Sequence, residues 1–151
     1  MAQHWLFKSE PESYSIDHLR RDKITAWSGV RNYQARNFMQ AMKLGDDAFF
    51  YHSSCAEPGI VGRCRVVRTA YPDDTAFDLQ SEYFDPKSLP EKPRWFMVDV
   101  EFVQAFARTI PLLLLREQHA LAEMPLVQRG QRLSVQPVSA HEWSAILKLA
   151  R

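Results

Sequence analysis

The sequence predicts an α+β fold, a mostly antiparallel, partly closed β-barrel flanked by helices. About five strand patterns and three or four helix patterns occur along it without regular strand–helix alternation, which argues against a doubly wound parallel sheet. The longest alternating strands also come from distant parts of one small chain, and strands so arranged twist together into curved, barrel-like sheets.

The first strand is His4 to Lys8 (HWLFK), apolar and aromatic, ending where Pro11 stops regular pairing. Ser15 is a natural N-cap for a short helix carrying Ile16 and Leu19 at helical spacing. Lys23 to Trp27 leads into AWSGVRNYQARNF, Ala26 to Phe38, where a Trp beside Ser-Gly opens a polar, Arg- and Asn-rich segment. Ala35, Phe38, Met39 and Met42 then form one apolar helix stripe, with Asn32 and Arg36 neighbouring each other on a polar face and Gly45 as the expected C-cap.

Ala48 to Ser53 reads as a strand with Ala48, Phe50 and His52 on one face and Phe49, Tyr51 and Ser53 on the other. After a turn at Ser54 to Gly59, a long strand from Ile60 to Tyr71 puts Ile60, Gly62, Cys64 and Val66 towards one side and Arg63 and Arg65 towards the other. Gly62 suggests a bulge or a close approach. Residues 72–93 form an irregular excursion rich in Pro, Asp and Ser that carries Phe77, Tyr83 and Phe84, and excursions of that length are more often functional than idle.

Trp95 to Phe106 alternates cleanly as a strand, and Pro111 opens a short helix through Leu115 and Arg116. A last strand is expected at Arg132 to Gln136, ended by Pro137. Ser139 and Glu142 then make a capping box for a helix with Trp143, Ile146 and Leu147 on its apolar face. No repeat or linker interrupts this series, so residues 1–151 are expected to form one domain.

Composition narrows the class. The chain is 46% hydrophobic and 25% charged, ordinary values for a globular protein, and its formal net charge of +1 does not support binding nucleic acid by bulk charge. Affinity for nucleic acid would have to come from a shaped pocket and a few basic contacts. Cys55 and Cys64 have no His at metal spacing, so neither a metal site nor a disulfide framework is expected. The N-terminus meets Lys8, Glu10 and Pro11 too early for a signal peptide, and the run Ile110 to Leu115 is too short to span a bilayer. A soluble, cytoplasmic protein is the expectation.

No GxSxG, Walker-type, GxGxxG or HExxH motif is present. Lys8 and Glu10 flank Ser9 and are the nearest thing to a reactive pair, although two ionisable groups in a loop usually make a solvated turn. The aromatic inventory says more. Trp27, Tyr33, Tyr51, Tyr83, Phe84 and Trp95 occur beside Ser9, Ser28, Asn32, His52, Ser53 and Asp85. A flat heteroaromatic ligand needs faces to stack on and a few donors and acceptors at its edge, and an extruded nucleobase is such a ligand. Arg31, Arg36, Arg63, Arg65 and Arg94 are the basic groups available for phosphates around such a pocket. Trp27 has two readings, a pocket wall or a core plug, and composition alone favours the plug.

The segments HWLFKSEP, AWSGVRNYQARNFM, FFYHS, PGIVG, YPDDTAFD, YFDPKS, PRWFMVDV and RLSVQPVS, in that order, resemble the EVE domain family, a branch of the PUA-like superfamily, over essentially the whole chain. The resemblance implies a PUA-like barrel and non-catalytic recognition of a modified nucleobase in DNA or RNA through an aromatic pocket; no cofactor, metal or membrane is expected. By that resemblance Lys8 and Ser9 form the first pocket edge, Trp27 and Ser28 a cage wall with its hydrogen-bonding neighbour, and Asn32 the rim. Tyr51, His52 and Ser53 contribute from the central strand, and Tyr83 or Phe84 (or Phe77) from the excursion. Arg31, Arg36 and Arg63 become the phosphate contacts. The competing expectations are a small hydrolase acting on a modified nucleoside through Lys8 and Glu10, and a protein-interaction module using the excursion.

Overall fold

Three consecutive large residues, Trp5, Leu6 and Phe7, are all buried, so the strand that carries them has no solvent face. This strand, β1 (His4–Ser9), is followed by α1 (Ile16–Asp22), β2 (Ile24–Trp27), α2 (Tyr33–Ala41), β3 (Asp47–His52) and β4 (Gly59–Pro72). Then come β5 (Phe96–Pro111), α3 (Leu112–Glu117), β6 (Val135–Val138) and α4 (Ala140–Leu149), with 3-10 turns at Asp74–Phe77, His119–Leu121 and Pro125–Val127. The structure, a computed structural model, describes residues 3–130 and 132–150.

The strands form a single sheet in the order β2-β5-β4-β3-β1-β6. β1 and β3 run parallel, joined by a crossover that contains α1, β2 and α2, and every other neighbouring pair is antiparallel. The expected barrel does not close: among the described residues the four-residue strands β2 and β6 are the two separate edges of the sheet. The reason lies in side-chain alternation. In β3, Ala48 and Phe50 enter one core while Phe49 and Tyr51 enter another, so both faces of the sheet must be covered by other elements.

The first core takes Ile16 and Leu19 of α1 and Ala35 and Met39 of α2, against Phe7, Phe50, Cys64 and Val100. The second takes Leu115 of α3 and Trp143 and Ile146 of α4, against Leu6, Phe49 and Ile60. Trp143 stacks on Phe49 with ring centroids 3.9 Å apart. Each fully buried side chain of this size contributes roughly 1.5–3 kcal/mol by removal from water.

Local signals hold at several points. Ser15 caps α1 and Ser139 caps α4, and both form reciprocal capping boxes, with His18 and Glu142 as the returning side chains. The β4–β5 register shifts between Ile60 and Gly62, and a Cβ on Gly62 would lie 2.3 Å from the Gln104 carbonyl oxygen. That bulge also corrects the face assignment: Ile60 enters the second core while Cys64 and Val66 enter the first.

Several boundaries differ from expectation: β5 runs from Phe96 to Pro111, past the expected Phe106, and the last strand starts at Val135 and not at Arg132. α2 ends at Ala41 with Met42 as its C-cap, because the chain turns extended there to bury Met42; Gly45 (φ +87°) serves the next turn instead. Lys23 to Trp27 is not merely a lead-in, since Ile24–Trp27 pairs with β5 as an edge strand. Pro137 does not end the last strand but sits inside β6 opposite Trp5, which an edge position permits because a proline has no N–H to give to a further neighbour.

Candidate nucleic-acid interface

At one end of the sheet a cleft of about 640 Å³ opens over the first core. The end of β1 supplies Lys8, Ser9 and Glu10, and β2 with the loop after it supplies Thr25 to Arg31. The excursion contributes Glu82 and Tyr83, and Ser13, Tyr14 and Ser134 complete the rim. Hydroxyl groups of three chain segments therefore converge beside aromatic faces, the combination a planar, polar-edged ligand requires.

Trp27 is both things at once. It is 8% exposed and packs against Phe7, Phe50 and Tyr14 with ring centroids 5.0, 5.5 and 6.3 Å away, yet it also lines the cleft. In the same lining, Tyr83 rests on the backbone of Gly29, where a Cβ would come within 2.7 Å of Tyr83 Cζ. Gly29 has φ +82° as well, so two independent constraints select glycine there.

The placement of Tyr83 depends on Arg31 and Asp73. Arg31 Nη2 donates to the Tyr83 carbonyl at 2.8 Å and Nε to the same oxygen at 3.1 Å. Its remaining N–H groups reach Thr75 Oγ1 at 3.2 Å, the Val30 carbonyl at 3.0 Å and Asp73 Oδ2 at 3.1 Å. The guanidinium also lies 5.5 Å from the Tyr83 ring centroid and 5.3 Å from that of Trp95. Asp73 is fully buried and accepts the Gly29 N–H at 2.7 Å and the Thr75 N–H at 2.9 Å. Sequence reasoning missed Asp73, because nothing local distinguishes one carboxylate of a Pro-Asp-Asp turn from its neighbour.

The other expected site residues divide. Lys8, Ser9, Trp27, Ser28 and Tyr83 meet in the cleft; Phe84 and Phe77 lie outside its lining. Asn32 is the N-cap of α2, its side chain accepting the Ala35 N–H at 2.9 Å. Tyr51 is buried in the second core, and burial pushes its phenol up to about 12. His52 accepts the Ile16 N–H through Nε2 at 3.1 Å, and burial holds its imidazole below the usual histidine range. Ser53 meets the site only through its backbone, whose N–H donates to the Ser9 carbonyl at 3.0 Å. Alternation along β3 could not reveal this, because it orders side chains by face and not by distance from the sheet's end.

The three arginines expected at phosphates are placed differently from one another. Arg31 has its five N–H groups engaged within the chain. Arg36 donates to the Arg94 carbonyl at 3.0 Å and lies over Tyr33, which stacks on Trp95. Arg63 projects to the opposite side of the sheet, over Trp143 of α4. Lys8 lines the cleft, but its ammonium lies 5.7 Å from the centroid of the Tyr51 ring, and desolvation holds it below the ordinary lysine range.

A family model described as the EVE domain matches residues 3–149. The chain belongs to the EVE domain family. Human thymocyte nuclear protein 1 is 46% identical to this EVE domain over 99% of the chain and 74% of the human protein, and the chicken protein is 48% identical over 97% and 68%. Among solved structures, a Pseudomonas syringae protein matches with a TM-score of 0.96 at 52% identity, covering 98% of this chain and 99% of that one. The crystal structure of human thymocyte nuclear protein 1 in complex with 5-methylcytosine-containing DNA matches with a TM-score of 0.95 at 46% identity, covering 99% and 98%. A Zymomonas mobilis ASCH protein at 11% identity and TM-score 0.58 shares the fold. Among the described residues of this EVE domain, no helix is long and apolar enough to cross a membrane, and no three His, Cys, Asp or Glu side chains converge to hold a metal.

Proposed function

We propose that this EVE domain binds a modified base of the 5-methylcytosine class in DNA, seating the base in the cleft between Trp27 and Tyr83 without acting on it chemically. The observation that carries the reading is the likeness, over the whole chain, to a human relative whose crystal structure contains 5-methylcytosine DNA. The cleft supports it independently, with two aromatic walls and the hydroxyls of Ser9, Ser28 and Ser134 within one lining. Extruding a base costs a few kcal/mol and stacking returns roughly 1–3 kcal/mol, so edge contacts from those hydroxyls supply the discrimination. The architecture is read as PUA-like, with an open sheet between two helical layers. The relatives' names carry the word nuclear, which favours a DNA-containing compartment over the cytoplasm as such.

The test is an anisotropy titration of labelled duplexes differing only in 5-methylcytosine against cytosine, with the RNA of the same sequence as a third arm. Tighter binding of the modified duplex is expected, and Tyr83→Ala lowers that affinity roughly ten-fold or more. Equal affinity for both duplexes overturns the reading.

The second reading, a hydrolase of modified nucleosides, draws on Lys8 and Glu10 lining the same cleft and on the desolvation of Lys8. Turnover of acylated nucleosides that disappears in Lys8→Ala selects it; absence of turnover with intact DNA binding removes it.

A further inference from the structure

We propose that Arg31 and Asp73 form a latch that fixes Tyr83 as the outer wall of the cleft, which makes Arg31 a positioning residue that sets base discrimination and not a phosphate anchor. The inference rests on the base-binding reading above. A guanidinium has five N–H donors, and all five of Arg31's are taken by Tyr83, Thr75, Val30 and Asp73. A phosphate would have to break those bonds to form its own.

Two of the five converge on the Tyr83 carbonyl, whereas the amide bonds of Tyr83 and Phe84 are local, to Ser81. Arg31 thus ties the tip of the excursion to the loop after β2. Asp73 completes the tie from below: one carboxylate oxygen takes both the Gly29 N–H and Arg31, and the other takes the Thr75 N–H. Arg31 is the partner that balances the charge of this fully buried carboxylate. Gly29 finishes the device, because the absence of a side chain lets the Tyr83 ring lie directly on the backbone. A wall held this way is pre-organised before ligand arrives, which reduces the ordering cost of binding.

Three variants separate the roles. Arg31→Lys keeps the charge but cannot span four partners; Arg31→Gln removes the charge; Gly29→Ala leaves Arg31 intact and drives the Tyr83 ring outward. For each, the affinity ratio for 5-methylcytosine over cytosine duplex is measured, with the slope of log K against log salt and thermal unfolding as the fold control. The expected result is that Arg31→Lys and Gly29→Ala both bring the ratio towards 1, while Arg31→Gln leaves the salt slope unchanged. A slope reduced by about 0.9 in Arg31→Gln, with the ratio preserved in Arg31→Lys, identifies a phosphate anchor and overturns the latch.

Hydrogen exchange of the free proteins gives a readout that does not depend on ligand. Faster exchange confined to residues 81–85 in Arg31→Lys supports the latch, and unchanged exchange there defeats it. Should the wild type show no base preference, the base-binding reading fails, and exchange still decides whether Arg31 holds Tyr83.

Discussion

The indole of Trp27 packs against Phe7 with ring centroids 5.0 Å apart, and the same indole lines the cleft. Truncation therefore removes core packing and cleft surface together. Trp27→Ala is expected to cost about 3–5 kcal/mol of stability by denaturant unfolding, so loss of DNA binding in that variant does not by itself report on stacking. Trp27→Phe keeps an aromatic face, and its retained stability with weakened binding of the modified duplex is the cleaner result. A loss below 1 kcal/mol in Trp27→Ala would show that the indole is not part of the core.

Asp46, 1% exposed, takes the Trp5 indole N–H and the Lys43 N–H at 2.9 Å each and the Gln3 N–H at 3.2 Å. Asp46→Ala strands these donors, at least one of them buried, and is expected to destabilise by about 2–4 kcal/mol. Equilibrium unfolding in urea measures it, and near-neutrality would mean that water replaces the carboxylate.

His52 predicts a pH dependence. Burial depresses its folded pKa below the ordinary value of 6.5, so in the window between the two the unfolded chain binds more protons than the folded one. Stability from this group is then complete above about pH 6.5 and is lost as pH falls towards the folded pKa. In His52→Gln, whose amide oxygen can still accept the Ile16 N–H, the stability curve is expected to flatten in that window. An unaltered slope would assign the dependence to another group.

Lys8 has the same sign in a more alkaline window. Its folded pKa lies below the ordinary 10.5, so stability rises with pH from the folded pKa up to that value. Lys8→Met is expected to abolish that rise, read as the difference between variant and wild-type unfolding curves. A rise that survives the substitution places its origin elsewhere.

Arg63 projects over Trp143 on the face opposite the cleft, within reach of Gln104. Arg63→Gln is accordingly expected to leave both DNA affinity and the salt slope at wild-type values. A slope lower by about 0.9 would mean that DNA reaches that face.

Elements with local signals were legible in the sequence. Ser15 and Ser139 cap their helices because a side-chain oxygen needs only the amide three residues on, and the alternation of Ala48, Phe49, Phe50 and Tyr51 sorts side chains between two faces by backbone geometry alone. Gly62 likewise announces a close approach. It also carried the family, through segments spread along the chain. What lies within reach of Trp27 was set by the assembled fold. Asp73 meets Gly29, and Arg31 meets Tyr83, across 44 and 52 residues of sequence. The pairs form because the excursion folds back over the loop after β2, and no periodicity encodes that return. For the same reason Tyr51 and His52, adjacent in sequence to plausible site residues, were drawn into a core and a helix start, while Ser134 reached the cleft from the far end of the chain. Burial and chain return are properties of the assembled sheet, and they turned a list of aromatic and polar residues into one cleft with a held wall.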